Sequence, residues 1–162
     1  MRRIIGFDPA LRNCGWGVIE QSGSNLKHIA HGVIKPNEKM SMSERLSELH
    51  EKVCEVIKSY KPDEAAVEIT FMTQNATSTL RLGMARGVIL MTPSLFKIPV
   101  AEYEPNRIKK TIVGVGHADK HQMQTMVKML LPTAKDLTSD SADALAIAIT
   151  HAQYSNHRLQ SA

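Results

Sequence analysis

Residues 2–17, RRIIGFDPALRNCGWG, restrict the fold more than any other stretch of the chain. Ile4, Gly6 and Asp8 fall on one face of a strand and Ile5 and Phe7 on the other. Alternation with period two therefore sends the Asp8 carboxylate to the same side as Ile4. Pro9 ends the pairing, because it has no N–H to give to a ladder. Turn chemistry over residues 10–15 follows, and the apolar run 16–19 reads as a hairpin partner for the first strand. An aspartate before proline also serves as a plain turn former, so the weight of Asp8 depends on whether other carboxylates occur where a core would not want them.

The next segments continue the pattern. Gly23, Ser24 and Asn25 make a turn, and residues 27–34 (KHIAHGVI) read as a third strand closing an antiparallel meander. Ser43 is placed to cap a helix in which Leu46, Leu49, Val53, Val56, Ile57 and Tyr60 recur at steps of three and four, an amphipathic stripe that Pro62 ends. Residues 64–69 (EAAVEI) return as a strand after a helix, which predicts pairing parallel to the first strand. Asn75 can cap a helix over residues 75–95 that is apolar nearly all round, which predicts burial on more than one side. Its Gly83 and Gly87, four apart, fit close approach of a partner helix in a homodimer or internal packing. A fifth strand over 99–103, a short basic helix over 105–113 and a methionine-rich amphipathic helix ended by Pro132 precede a last helix over 139–152, leaving about ten residues beyond it.

Three further acids are out of place for a simple core. Glu68 lies in a strand expected to be apolar on both faces, where an unpaired carboxylate costs several kcal/mol; an edge strand would instead leave it in water. Asp140 and Asp143 share one face of the last helix, directly before the apolar run 144–149. The helix dipole favours an acid in the first turn, but two like charges side by side repel. Each of Asp8, Glu68, Asp140 and Asp143 is expensive alone, and together they become cheap around cations. Carboxylate oxygens without matching Cys or His spacing select hard Mg²⁺ or Mn²⁺. Two such ions activate a water and stabilise the leaving oxygen in phosphodiester hydrolysis.

Charge supports that direction. The net charge is +4; if four of the sixteen acids are occupied by metal, the remaining twelve face twenty lysines and arginines, enough to hold a polyanion. Cys14 and Cys54 lack metal-ligand spacing and read as reduced thiols. No apolar run approaches the ~18 residues of a membrane span. A soluble cytoplasmic protein with no membrane partner, built as one domain over residues 1–162, is the expectation.

The segments GFDPALRNCGWGVI, AAVEITFMTQNATSTLRLGMARG, IKKTIVGVGHADK and SDSADALAIAI, in this order, resemble the RuvC-type Holliday junction resolvases of the RNase H-like superfamily. The resemblance spans the chain nearly end to end. It implies an α/β fold with a five-stranded mixed sheet, three antiparallel strands followed by parallel ones, flanked by helices. It implies a homodimer that nicks four-way DNA junctions in pairs with Mg²⁺, two ions per site with Mn²⁺ able to substitute, and it leaves open a branch-migration motor as working partner. The four acidic ligands map onto Asp8, Glu68, Asp140 and Asp143. Lys109 and Lys120 map near the scissile phosphate, and Phe71 beside the crossover. The surrounding Met72, Asn75, Arg81, Arg107 and Lys110 are further candidates for DNA contact. Some members carry His at the position of Asp140, and Ala10 stands where relatives usually have Gly.

Three other readings compete. An actin-like or sugar-kinase ATPase also begins GxDxG but needs a chain more than twice as long. A YqgF-like RNA nuclease shares the fold and three acids, although the segment around Phe71 and the basic stretch 107–120 fit a resolvase better. A non-catalytic dimeric junction binder would keep the basic and aromatic residues without the acids, and all four acids are present.

Overall fold

The computed structural model describes residues 1–71, 73–114 and 116–160. Strands β1 (Arg2–Asp8), β2 (Cys14–Ser22) and β3 (Asn25–Ile34) form the antiparallel meander. After helix α1 (Met42–Tyr60), β4 (Glu64–Glu68) pairs parallel to β1. After α2 (Ala76–Leu95), β5 (Val100–Tyr103) pairs parallel to β4. The sheet order is β3-β2-β1-β4-β5, which makes β4 an interior strand and rules out the edge position considered for Glu68. Glu68 is also the last residue of β4, not a mid-strand residue. Helices α3 (Pro105–Val113), α4 (Lys120–Leu130) and α5 (Ser139–Gln160) complete the chain.

The period-two reading of β1 describes how the layers are divided. Ile4 belongs to a core shared with α3, α4 and α5, whereas Ile5 and Phe7 belong to a core shared with α1 and α2. The hairpin turn is shorter than turn chemistry implied, because β2 already begins at Cys14 and Gly15 pairs opposite Asp8. The α1 cap is Ser41 rather than Ser43: its side chain accepts from the Glu44 amide while the Glu44 carboxylate takes the Ser41 N–H, a capping box.

Helix α5 lies very close to the sheet. A Cβ on Gly6 would sit 2.1 Å from the Ala144 carbonyl oxygen, and one on Gly15 2.1 Å from that of Asp140. Only glycine allows this approach, which sets the first turn of α5 directly above the end of β1. From Ala144 to Ala152 every α5 residue is buried, and the helix runs on to Gln160, eight residues beyond the expected end.

Helix α2 departs from expectation in the other direction. It buries only Ala85, Ile89, Thr92 and Pro93, while Leu80, Met84, Met91 and Leu95 are exposed. A Cβ on Gly83 or Gly87 would meet no atom within 4 Å, so internal packing does not explain that pair. Apolarity all round the helix predicted burial on several sides, but the described residues cover only one. No helix among the described residues is long and apolar enough to cross a membrane.

Candidate active site

Parallel pairing of β1 and β4 brings two acids together. The register Phe7 to Val67 puts Asp8 and Glu68 side by side one step further on, at the carboxyl ends of adjacent strands. These ends are where ligand sites of open α/β sheets form, since the chain leaves the sheet there in loops. The start of α5 then adds Asp140, in its first turn, and Asp143, three residues further on the same helical face. All four line one cleft of about 360 Å³, with Lys109 from α3 and Lys120 from the start of α4 on its rim and Ile108, Met123 and Ile147 beneath.

Electrostatics mark the cleft as a site of uncompensated negative charge. Among the described residues none of the four carboxylates takes part in an ion pair. Asp8 is pushed up to about 8, first by burial and then by Asp143, Glu68 and Asp140, with Lys120 opposing. Burial followed by Asp143 also raises Glu68 against the pull of Lys109, Arg86 and Lys120. Asp143 is raised by burial and Asp140 against Lys120. The two lysines thus act on the acids without neutralising them. The groups lining the cleft that could ligate a metal are all carboxylates, a set of oxygen donors that fits a hard divalent cation. Among the described residues no three His, Cys, Asp or Glu side chains close on a single point. The acids therefore line an open cleft, the arrangement usual for Mg²⁺ held partly by substrate phosphate.

The other residues singled out from the sequence are spread more widely. Phe71, three residues past Glu68, is 64% exposed, so it does not fold under α2 as a staple. Met72 lies outside the described residues. Asn75 caps α2 by accepting from the Ser78 amide, a structural task. Arg107 stacks over the Tyr154 ring at 5.1 Å from its centroid, and Lys110 is exposed beside Gly116. Arg81 lines a different cleft, on the α1–α2 side of the sheet.

Sequence reasoning missed Arg86. Its guanidinium donates to the Glu68 carbonyl oxygen and to the Glu102 carboxylate, holding the end of β4 against α2. The available signal was that Arg86 is the only charged residue between Leu82 and Leu95. A lone cation in such a run needs a partner.

Acids at the carboxyl ends of adjacent parallel strands, facing the first turn of a helix on this mixed five-stranded sheet, place the chain among the RNase H-like nucleases. The model of the crossover junction endodeoxyribonuclease RuvC family matches residues 4–151, and the chain belongs to that family. It is 53% identical over 152 residues to the crossover junction endodeoxyribonuclease RuvC of Bradyrhizobium diazoefficiens, covering 94% of this chain and 87% of that protein. The structure of Thermus thermophilus RuvC in complex with a Holliday junction substrate superposes with a TM-score of 0.91 at 31% identity, covering 98% of this chain and 97% of that one. The yeast mitochondrial Holliday junction resolvase Ydc2 shares the fold at a TM-score of 0.70, with 16% identity over 97% of this chain and 82% of its own.

Proposed function

We propose that Asp8, Glu68, Asp140 and Asp143 hold the divalent cations with which this crossover junction endodeoxyribonuclease cuts phosphodiester bonds at four-way DNA junctions. The cations are Mg²⁺, two per site, with Mn²⁺ able to substitute. The observation that carries the assignment is the convergence of these four unpaired carboxylates and two lysines on one cleft. Bound there, divalent cations would activate a water and stabilise the departing oxygen.

The chain's own residues supply position and charge. Asp8 and Glu68 sit on strands locked in the sheet, and Asp140 and Asp143 on a helix held down over Gly6 and Gly15, so the donors start close to their working geometry. Lys109 and Lys120 face the phosphate and hold charge that builds on its oxygens during displacement. Phe71 presents a ring to the bases at the crossover, where stacking is worth ~1 to 3 kcal/mol per base, and its position on the loop leaving Glu68 joins junction distortion to the cutting site.

Two equivalent strands need two equivalent sites, so the working form is a symmetric homodimer, with the exposed face of α2 as its contact. The cytoplasm is its compartment. A labelled four-way junction and a matched linear duplex, each incubated with the protein with and without Mg²⁺, test the assignment. Paired nicks confined to the junction and to Mg²⁺ are expected. Cleavage that persists in EDTA, or equal cutting of the linear duplex, overturns it.

A further inference from the structure

A second polar cleft, of about 590 Å³, opens on the other face of the sheet near the carboxyl end of β1. It lies between the loop that leaves β1, the first turn of α1 and the first turns of α2. Arg12, Arg45 and Arg81 line it, with Ser78 and a single acid, Glu38. The three arginines differ in how far the chain satisfies them. Arg12 pairs with Glu38 at 2.7 Å, an exposed pair. Arg45 gives one Nη2 hydrogen bond to the Leu11 carbonyl at 3.2 Å, and its Nε is buried with no partner. Arg81 is exposed and has no ion pair among the described residues.

A buried guanidinium nitrogen without an acceptor is costly, and arginine's fixed fork is shaped for phosphate oxygens. The cleft therefore carries two cations that no acid among the described residues pairs with, beside a donor left unmet. Ala10, Leu11 and Arg12 lie on the segment that leaves Asp8, and Ser78 and Arg81 on the helix that follows Glu68, so the cleft is built on the chain leaving the two acid-bearing strands. The geometry points to this cleft as a second anchor for the DNA, one that takes a backbone phosphodiester through Arg45 and Arg81. The inference rests on the reading of the chain as a junction endonuclease. A strand held only at the cutting site can pivot about it. A second phosphate fixed across the carboxyl end of the sheet sets its register, the usual work of backbone contacts.

Junction binding is measured in an Asp8→Asn background, which prevents cutting, over a series of KCl concentrations, with Arg45→Gln, Arg81→Gln and Glu38→Gln added singly. Arg45→Gln keeps a donor for the Leu11 carbonyl while removing the charge. Arg81→Gln breaks no ion pair within the described chain, so it reports on the cleft even where Arg45→Gln loosens the fold. Each is expected to weaken binding roughly ten-fold, the worth of one charge-assisted contact, and to lower the salt slope by about one. Glu38→Gln is expected to tighten binding, an effect that a purely structural cluster would not give. Cleavage by the unsubstituted protein is followed in the same series. Its absence would fail the functional reading itself, whereas normal cleavage with unchanged affinity and salt slope in Arg45→Gln and Arg81→Gln would overturn the second anchor alone.

Discussion

Helices α2 and α5 look alike as sequence and behave differently as structure. Both are long, apolar over most of their length and weakly amphipathic. The sheet and two further helices cover α5, leaving no exposed residue from Ala142 to Ala152, while α2 leaves Leu80, Met84, Met91 and Leu95 uncovered. An apolar run says that a helix will be covered; it does not say by what. For α5 the cover is this chain, and the helix uses that rigidity to present Asp140 and Asp143. For α2 no cover is found among the described residues, which is the reason a second copy was proposed to supply it.

The largest effects should come from the rigid side. Asp8→Asn, Glu68→Gln and Asp143→Asn each remove a donor but no phosphate contact, so cleavage should fall by roughly three orders of magnitude while junction affinity holds or tightens. Parallel loss of affinity and cutting in all three would mean that these acids serve the fold. Next in size is Phe71→Ala. Cleavage of bound junction should drop by roughly a hundred-fold with little change in melting temperature, because a side chain already 64% exposed contributes little to the core. Phe71→Trp should restore part of the rate, since a flat ring remains. A large fall in melting temperature with unchanged cutting per folded molecule would return the ring to the core.

The comparison of helices breaks or sharpens at Met91 and Gly87. Met91→Glu should weaken self-association by at least about ten-fold, the cost of setting an unpaired charge in an apolar contact, and leave the monomer's stability nearly unchanged. Gly87→Leu should do the same for a steric reason, as its Cβ meets nothing in its own chain. Sedimentation that finds only monomer for the unsubstituted protein at micromolar concentration would remove the dimer and leave the exposed face of α2 in need of another partner.

The sequence made the α5 side legible and the α2 side less so. Alternation in β1 divided Ile4 from Ile5 and Phe7, and a strand following a helix placed β4 parallel to β1, which together bring Asp8 and Glu68 into register. What could not be read was contact across the sheet. The role of Gly15 under Asp140 requires knowing that β2 begins two residues earlier than its apolar run. The Arg86 bridge to Glu68 requires knowing which way α2 turns its one cation. The cap at Ser41 was missed because Ser41 and Ser43 are both capable residues, and Glu44, three after Ser41, decides between them.

Unrelieved charge in the cleft gives a smaller, pH-dependent effect. Asp8 keeps its proton to about pH 8 in the folded state and releases it near 3.8 when unfolded. Between those values the unfolded chain binds fewer protons, so stability without metal falls as pH rises through the window. Asp8→Asn should remove that part of the slope and stabilise the metal-free protein at pH 8 by about 2 kcal/mol, discounted for the water that reaches a half-buried group, with little gain at pH 4. Mg²⁺ should stabilise the unsubstituted protein more than the variant. Denaturant titrations in EDTA at the two pH values check it, and an equal gain at both would place the benefit in packing instead of charge.

The smallest effect is expected within the metal site itself, where Asp140 and Asp143 occupy one helical face but unequal positions. Asp140 stands in the first turn of α5, over Gly15. Asp143 is one turn further in and bears on Glu68 directly, as the largest charge acting to raise it. A donor at the helix start has more room to be replaced by one of different length. Asp140→His keeps a lone pair for a metal and sheds one negative charge from a crowded cleft, so cleavage should fall less than about ten-fold. The same exchange at Asp143 should behave like Asp143→Asn, because its carboxylate acts directly on Glu68 and a donor of different length there disturbs the pair. Cleavage rates of the two histidine variants at saturating junction, in Mg²⁺ and in Mn²⁺, separate the positions, with Mn²⁺ favouring the Asp140→His protein because imidazole suits the softer ion. Equal loss in both variants would make the two acids equivalent and would remove the distinction drawn here between the helix start and its second turn.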